Sequence, residues 1–119
     1  RVPVVDGHTE TVSVALEMKP SFAELRAAFE GFAGAPQRLG LPFAPERPLL
    51  YLDQPNRPQP RFDAGRGRGM TVSVGRLRPC PVLDWKFVAL GHNTVRGAAG
   101  AAVLNTELLQ AEGLLDQGD

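Results

Sequence analysis

The sequence predicts an α+β fold: a mostly antiparallel mixed sheet with helices on one face. Three observations carry this prediction. Two stretches alternate apolar and polar residues with the period of two that marks a half-buried strand. A capped amphipathic helix separates them. The order β-α-β-β-β-α then leaves strands adjacent in sequence, which implies a mostly antiparallel layer. A length of 119 residues suits one domain.

The first strand is read from Thr11 to Lys19, with Val12, Val14, Leu16 and Met18 on one side and Thr11, Ser13 and Glu17 on the other. Pro20 ends it, having no N–H for the ladder. Ser21 stands three residues before Glu24 in the reciprocal arrangement of a capping box, and Phe22, Leu25, Ala28, Phe29 and Phe32 follow at helical spacing. Gly31 or Gly34 closes this helix. Between Gly34 and Gly69 lie seven of the eleven prolines and five of the thirteen glycines, a composition hostile to regular structure. Within it, Leu49–Leu52 reads as an edge strand starting just after Pro48. The tract Gly65-Arg66-Gly67-Arg68-Gly69 resembles a phosphate cradle, but it lacks the Lys-Ser/Thr of a P-loop and opens no helix, so it reads as a flexible loop.

Met70–Val74 alternates again. Arg76 falls on the valine side, which requires either a bulge at Gly75 or a polar cleft. Pro79-Cys80-Pro81 breaks that strand, Trp85–Leu90 supplies another, and Asn93 or Thr94 caps a last helix reaching about Glu112. Val95, Ala98, Ala99, Ala102 and Leu109 form one apolar stripe of this helix, while Ala101, Leu104 and Leu108 project elsewhere. A helix of that kind is expected to be buried on both sides. Gly97 and Gly100 allow its first turns to approach another backbone or a ligand.

Thirteen Lys and Arg balance thirteen Asp and Glu, leaving no basic field for nucleic acid or an anionic membrane. No apolar run approaches the ~18 residues of a membrane helix. One cysteine, Cys80, excludes an intrachain disulfide framework and a multi-cysteine zinc site, and is compatible with a reducing cytoplasm. His8 and His92 lack a supporting ligand pattern, so no metal site is predicted. The opening Arg1-Val2-Pro3, without methionine, reads as the start of a piece cut from a longer polypeptide.

His8 follows Asp6-Gly7 at a turn before a strand, where an imidazole suits general acid/base work, although taken alone it reads as a solvated turn histidine. Arg1 alone reads as a surface charge. Cys80, flanked by prolines and with no helix N-terminus to lower its pKa, reads as structural.

Taken together, Arg1-Val2-Pro3-Val4-Val5-Asp6-Gly7-His8, Ala44-Pro45-Glu46-Arg47-Pro48, Arg57-Pro58-Gln59-Pro60-Arg61, Val74-Gly75-Arg76-Leu77-Arg78, Lys86–Leu90 and His92–Gly100 occur in an order that resembles the C-terminal part of aspartate-semialdehyde dehydrogenases, especially their archaeal and fungal branch. The resemblance implies a C-terminal domain like that of glyceraldehyde-3-phosphate-dehydrogenase-type enzymes. It implies NADPH-dependent reduction of L-aspartyl-β-phosphate to L-aspartate-β-semialdehyde with release of phosphate, in a cytoplasmic enzyme of lysine, threonine and methionine biosynthesis. Arg1 would bind the substrate α-carboxylate, a task suited to a planar guanidinium. His8 would be the acid/base residue. Asn93 would lie near the nicotinamide of NADP, with a plain helix cap as the other reading.

The same resemblance places the nucleophilic cysteine and the dinucleotide fingerprint upstream, so that the chain alone is expected to be inactive. It implies a homodimer, with the strands around Thr11–Met18 and Met70–Leu77 as candidate interface. Residues 1–92 would form part of the substrate-binding and dimerisation domain, and 93–119 a helix packing towards a nucleotide-binding domain. A sibling reductase of the N-acetylglutamyl-phosphate type and a non-catalytic dimerisation module are the alternatives. His92 stands where other branches carry aspartate. Arg1 and His8 share a site only if residues 1–8 bend, at Pro3 or at Asp6-Gly7, because a straight seven-residue span reaches ~23–25 Å.

Overall fold

The computed structural model describes residues 3–115, and within them the predicted order of elements is present. Strands β1 (His8–Val14), β2 (Leu49–Leu52), β3 (Val72–Pro79) and β4 (Trp85–Gly91) form one sheet in the order β1-β4-β3-β2. The β1–β4 and β3–β4 pairs are antiparallel and the β2–β3 pair is parallel, so the sheet is mixed and mostly antiparallel. The edge position of β2 agrees with its start just after a proline.

Helix α1 (Phe22–Gly31) begins as its sequence requires. Ser21 Oγ accepts from Glu24 N at 3.3 Å, and the Glu24 carboxylate accepts from Ser21 N at 2.7 Å. Its aromatic side rests on one face of the sheet. Phe29 meets Phe87 edge-on at 5.2 Å and stacks on Tyr51 at 6.4 Å, and Phe22 lies 6.4 Å from Trp85. Since side chains alternate along β4, Val88 and Leu90 point to the other face. There Pro60 and Ala64 come up against Leu90 and the backbone of Gly7, and Pro58 against that of Gly75. Leu90 is fully buried as a result.

The first strand departs from its predicted span. It starts at His8 and stops at Val14, opposite Trp85, because β4 offers no partner beyond that residue. Asp84 then takes hold of the departing chain, accepting from Leu16 N at 2.7 Å and from Lys19 Nζ at 2.7 Å. Met18 is left exposed. Of the two strands considered for a dimer interface, β3 is central, with Val74 covered on the α1 side and Ser73 on the other. β3 is mostly buried or half-buried within the chain, whereas β1 is mostly exposed.

The proline-rich middle is more ordered than its composition suggests. It contains two short helices, α2 (Ala35–Arg38) and α3 (Pro60–Asp63), each with proline in its first turn, where a missing N–H costs nothing. The Gly65–Gly69 tract is a tight turn and not a flexible loop. Gly67 has φ +55°, and a Cβ there would collide with the Thr71 hydroxyl, which itself donates to Arg47 O at 2.7 Å. In β3 the register shifts between Gly75 and Arg78, and Arg76 (φ +56°) is exposed, so the bulge accounts for its placement.

A single π turn (Val95–Ala99) leads into α4 (Gly100–Ala111). This helix closes a second small core in which Met70, Leu104 and Leu41 are buried, with Phe43, Val95 and Leu108 around them. Gly100 is needed there, since a Cβ would sit 2.5 Å from Met70 Sδ and 2.8 Å from Val95 Cγ1. Within the chain only one side of α4 is buried, not both: Val103 and Leu109 face outward. No helix among the described residues is long and apolar enough to cross a membrane.

Candidate functional site

The site forms where the N-terminal segment enters the sheet. The backbone bends at Val5–Asp6 and turns at Gly7, whose φ of +114° is open to glycine and strained for other residues. Space also dictates glycine. A Cβ there would lie 3.1 Å from Pro60 Cβ and 3.2 Å from Leu90 Cδ1. From this corner His8 opens β1, paired with Gly91 at the end of β4. The predicted bend is present at Asp6-Gly7. Arg1, the candidate carboxylate-binding residue, lies outside the described residues.

His8 and Glu10 alternate onto one side of β1, and His8 Nε2 is 3.2 Å from Glu10 Oε1. Both line a cleft of about 340 Å³, together with His92, Asn93, Arg96 and Gly97 from the segment that leaves β4. The cleft therefore brings His8 beside His92, Asn93, Arg96 and Gly97 of the second segment that the sequence singles out. A second, larger cleft of about 680 Å³ lies beyond the corner, between Pro3–Asp6 and Gln59–Arg61, with His92 on its wall as well.

His92 and Asn93 exchange the roles their residue types suggest. Neither Asn93 nor Thr94 caps the helical segment through its side chain. His92 does so: its Nδ1 faces the N–H groups of Thr94 at 3.3 Å and Val95 at 3.2 Å. That geometry requires the neutral tautomer with hydrogen on Nε2. Aspartate, a good cap, could serve there by the same physics. Asn93 is thereby released from capping. Its Oδ1 accepts from Gly7 N at 3.0 Å, and its Nδ2 has no hydrogen-bond partner among the described residues. An amide with free donors at the rim of a cleft fits a carboxamide such as that of nicotinamide.

One functional group escaped the reading of the sequence. Asp63 is fully buried behind the Gly7 corner, and it accepts from Arg57 Nε, Gln59 N and Arg66 Nε, each at 2.7 Å, with a further contact from Arg57 Nη2. Burial alone would raise its pKa. The hydrogen bonds from Arg57, Gln59 and Arg66 outweigh that and hold it at about 2. Its one trace in the sequence is that Asp63 is the lone carboxylate among four arginines between Asn56 and Arg68, a pattern that by itself reads as solvated. Clasping Arg57 and Arg66 fixes the segment that bears Pro60 and Ala64 against Gly7.

Cys80 lies in the β3–β4 connection, at the far end of β4 from His8. The six residue steps from Trp85 to Gly91 put ~20 Å between the ends. Its thiol pKa is lowered by the backbone N–H groups of Leu83 and Val82, so a turn supplies what no helix N-terminus does. That lowering does not bring it near the histidine.

Comparison with known proteins agrees with the fold. The family described as "Semialdehyde dehydrogenase, dimerisation domain" matches residues 1–96. The aspartate-semialdehyde dehydrogenase of Methanothermobacter thermautotrophicus is 51% identical over 111 residues, covering 92% of this chain and 32% of the relative. The crystal structure of aspartate semialdehyde dehydrogenase with NADP from Candida albicans superposes with a TM-score of 0.85 at 44% identity, covering 96% of this chain and 32% of that one. A malonyl CoA reductase (NADP) of Metallosphaera sedula is 43% identical over 119 residues, with 98% of this chain and 33% of the relative covered. The chain thus spans about a third of the length of the curated relatives it matches. With that family model matching residues 1–96, the chain belongs to the family described as "Semialdehyde dehydrogenase, dimerisation domain".

Proposed function

We propose that this chain is the C-terminal portion of an NADP-dependent aspartate-semialdehyde dehydrogenase, a cytoplasmic homodimer that reduces L-aspartyl-β-phosphate to the semialdehyde and releases phosphate. The observation that carries the reading is the His8 imidazole, presented at a glycine-enforced corner into a cleft it shares with Asn93. High identity to aspartate-semialdehyde dehydrogenases supports it. The nucleophilic cysteine and most of the nucleotide site are assigned to polypeptide outside these 119 residues, so the chain alone is catalytically inert. Residues 1–92 belong to the substrate-binding and dimerisation part. Residues 93–119 lead towards the nucleotide-binding domain, and the outward Val103 and Leu109 of α4 support a covering surface there.

In this reading His8 takes the thiol proton as sulfur attacks the acyl carbon and the C–O bond to phosphate breaks, which releases phosphate and leaves a thioester. It then donates a proton to the substrate oxygen as the carbonyl carbon is reduced, and accepts it back as the thiohemiacetal collapses to aldehyde. NADPH, when bound, supplies the hydride. Asn93 holds the carboxamide through Nδ2, and Arg1 orients the substrate through its α-carboxylate.

The test uses the full-length polypeptide. His8→Ala is expected to lower kcat by ~10²–10⁴-fold with modest change in substrate KM, whereas Arg1→Ala mainly raises KM. Unchanged turnover in His8→Ala would refute the role. Assay in the phosphate-dependent reverse direction with aspartate semialdehyde and N-acetylglutamyl semialdehyde, and in the reductive direction with malonyl-CoA, identifies the substrate. Preference for either of the last two would assign the chain to a sibling reductase.

A further inference from the structure

The segment that leaves β4 carries two adjacent polar residues, and only one of them serves the helix. Because His92 Nδ1 meets the N–H groups of Thr94 and Val95, the Asn93 side chain is free to turn back across the sheet end. There it meets Gly7 N at 3.0 Å, a contact between residues 86 apart in sequence. The corner at Gly7 is packed on its other side by Pro60, Ala64 and Leu90. One side is therefore held by carbon contacts and the other by this single directional bond. His8, the next residue, takes its bearing from both.

We propose that Asn93 is a positioning residue for His8. Its side-chain oxygen holds the Gly7 N–H and so sets the corner from which the imidazole projects, while its Nδ2 end remains for the cofactor. The two ends of one amide then couple the placement of the acid/base group to the seat of the nicotinamide. The inference deepens the reading of His8 as acid/base and rests on it. A displacement of the imidazole by ~1 Å is enough to cost up to ~10²-fold in rate.

The two ends are separable by substitution. Asn93→Asp keeps an acceptor for Gly7 N and removes the amide donors, whereas Asn93→Ala removes both. In the full-length polypeptide, Asn93→Ala is expected to lower kcat at saturating NADPH by about 10–100-fold. Asn93→Asp is expected to recover most of that kcat while binding NADP more weakly, measured directly by fluorescence titration. Hydrogen exchange of the cofactor-free protein gives a readout independent of turnover. The Gly7–His8 amides should exchange about tenfold faster in Asn93→Ala and as slowly as wild type in Asn93→Asp. Equal kcat in the two variants, or unchanged exchange at Gly7 in Asn93→Ala, would overturn the positioning role. His8→Ala separates this failure from that of the parent reading. If it is impaired while the two Asn93 variants coincide, only the positioning role falls. If it retains full turnover, the acid/base reading falls and the positioning role with it.

Discussion

Asn93 Oδ1 accepts from Gly7 N at 3.0 Å and ties the end of β4 to the corner that precedes β1. The bond crosses 86 positions of sequence and closes the sheet end around the cleft that contains His8. It also explains why this asparagine does not cap the helix beside it, a task that falls to His92.

Gly7 is the most demanding position of the corner. Gly7→Ala forces an L side chain to φ +114° and pushes its Cβ to 3.1 Å from Pro60 and 3.2 Å from Leu90. The expected loss is about 2–4 kcal/mol of stability, read by urea unfolding, together with reduced turnover of the full-length enzyme. Near-wild-type values in both would show that the corner relaxes freely.

His92→Ala leaves the N–H groups of Thr94 and Val95 without their acceptor. The expected cost is about 1 kcal/mol, and His92→Asp should restore it because a carboxylate accepts the same donors. Thermal unfolding of the two variants beside wild type checks this. An aspartate variant no better than alanine would refute the capping role.

The Asp63 carboxylate has a pKa of about 2 against an ordinary 3.8, a depressed value, so its contribution is present in full above pH ~4 and disappears as pH falls through about 2. That contribution is about 2 kcal/mol. Asp63→Asn should therefore be less stable than wild type at pH 7, with the gap narrowing steadily between pH 4 and pH 2. A gap independent of pH would mean that the carboxylate charge is not what Arg57 and Arg66 require.

Ser73 is fully buried opposite Leu90, and its hydroxyl has no hydrogen-bond partner among the described residues. Removing an unsatisfied polar group relieves its desolvation penalty, so Ser73→Ala is expected to raise stability by about 1 kcal/mol. A higher denaturant midpoint at unchanged slope would confirm it, and a lower midpoint would count against it.

Local chemistry made much of this protein legible in sequence. The Ser21/Glu24 box, the short strand after Pro48 and the bulge near Gly75 each follow from a handful of neighbouring residues, and each is present. The bend at Asp6-Gly7, expected from the requirement that Arg1 and His8 share a site, is present as well. The resemblance that joined His8 and Asn93 rested on ordered motifs and likewise needed no coordinates. What depends on partners far along the chain was settled by the tertiary structure. The alternation to Met18 continues past the point where β4 ends, so the pairing partner and not the pattern terminates β1. Composition hid the buried Asp63 clasp, because a carboxylate among arginines looks solvated until packing removes the water. Local reading left Asn93 or Thr94 as the helix cap; the structure passes that task to His92, because the Gly7 N–H arriving from the opposite end of the chain takes the Asn93 oxygen.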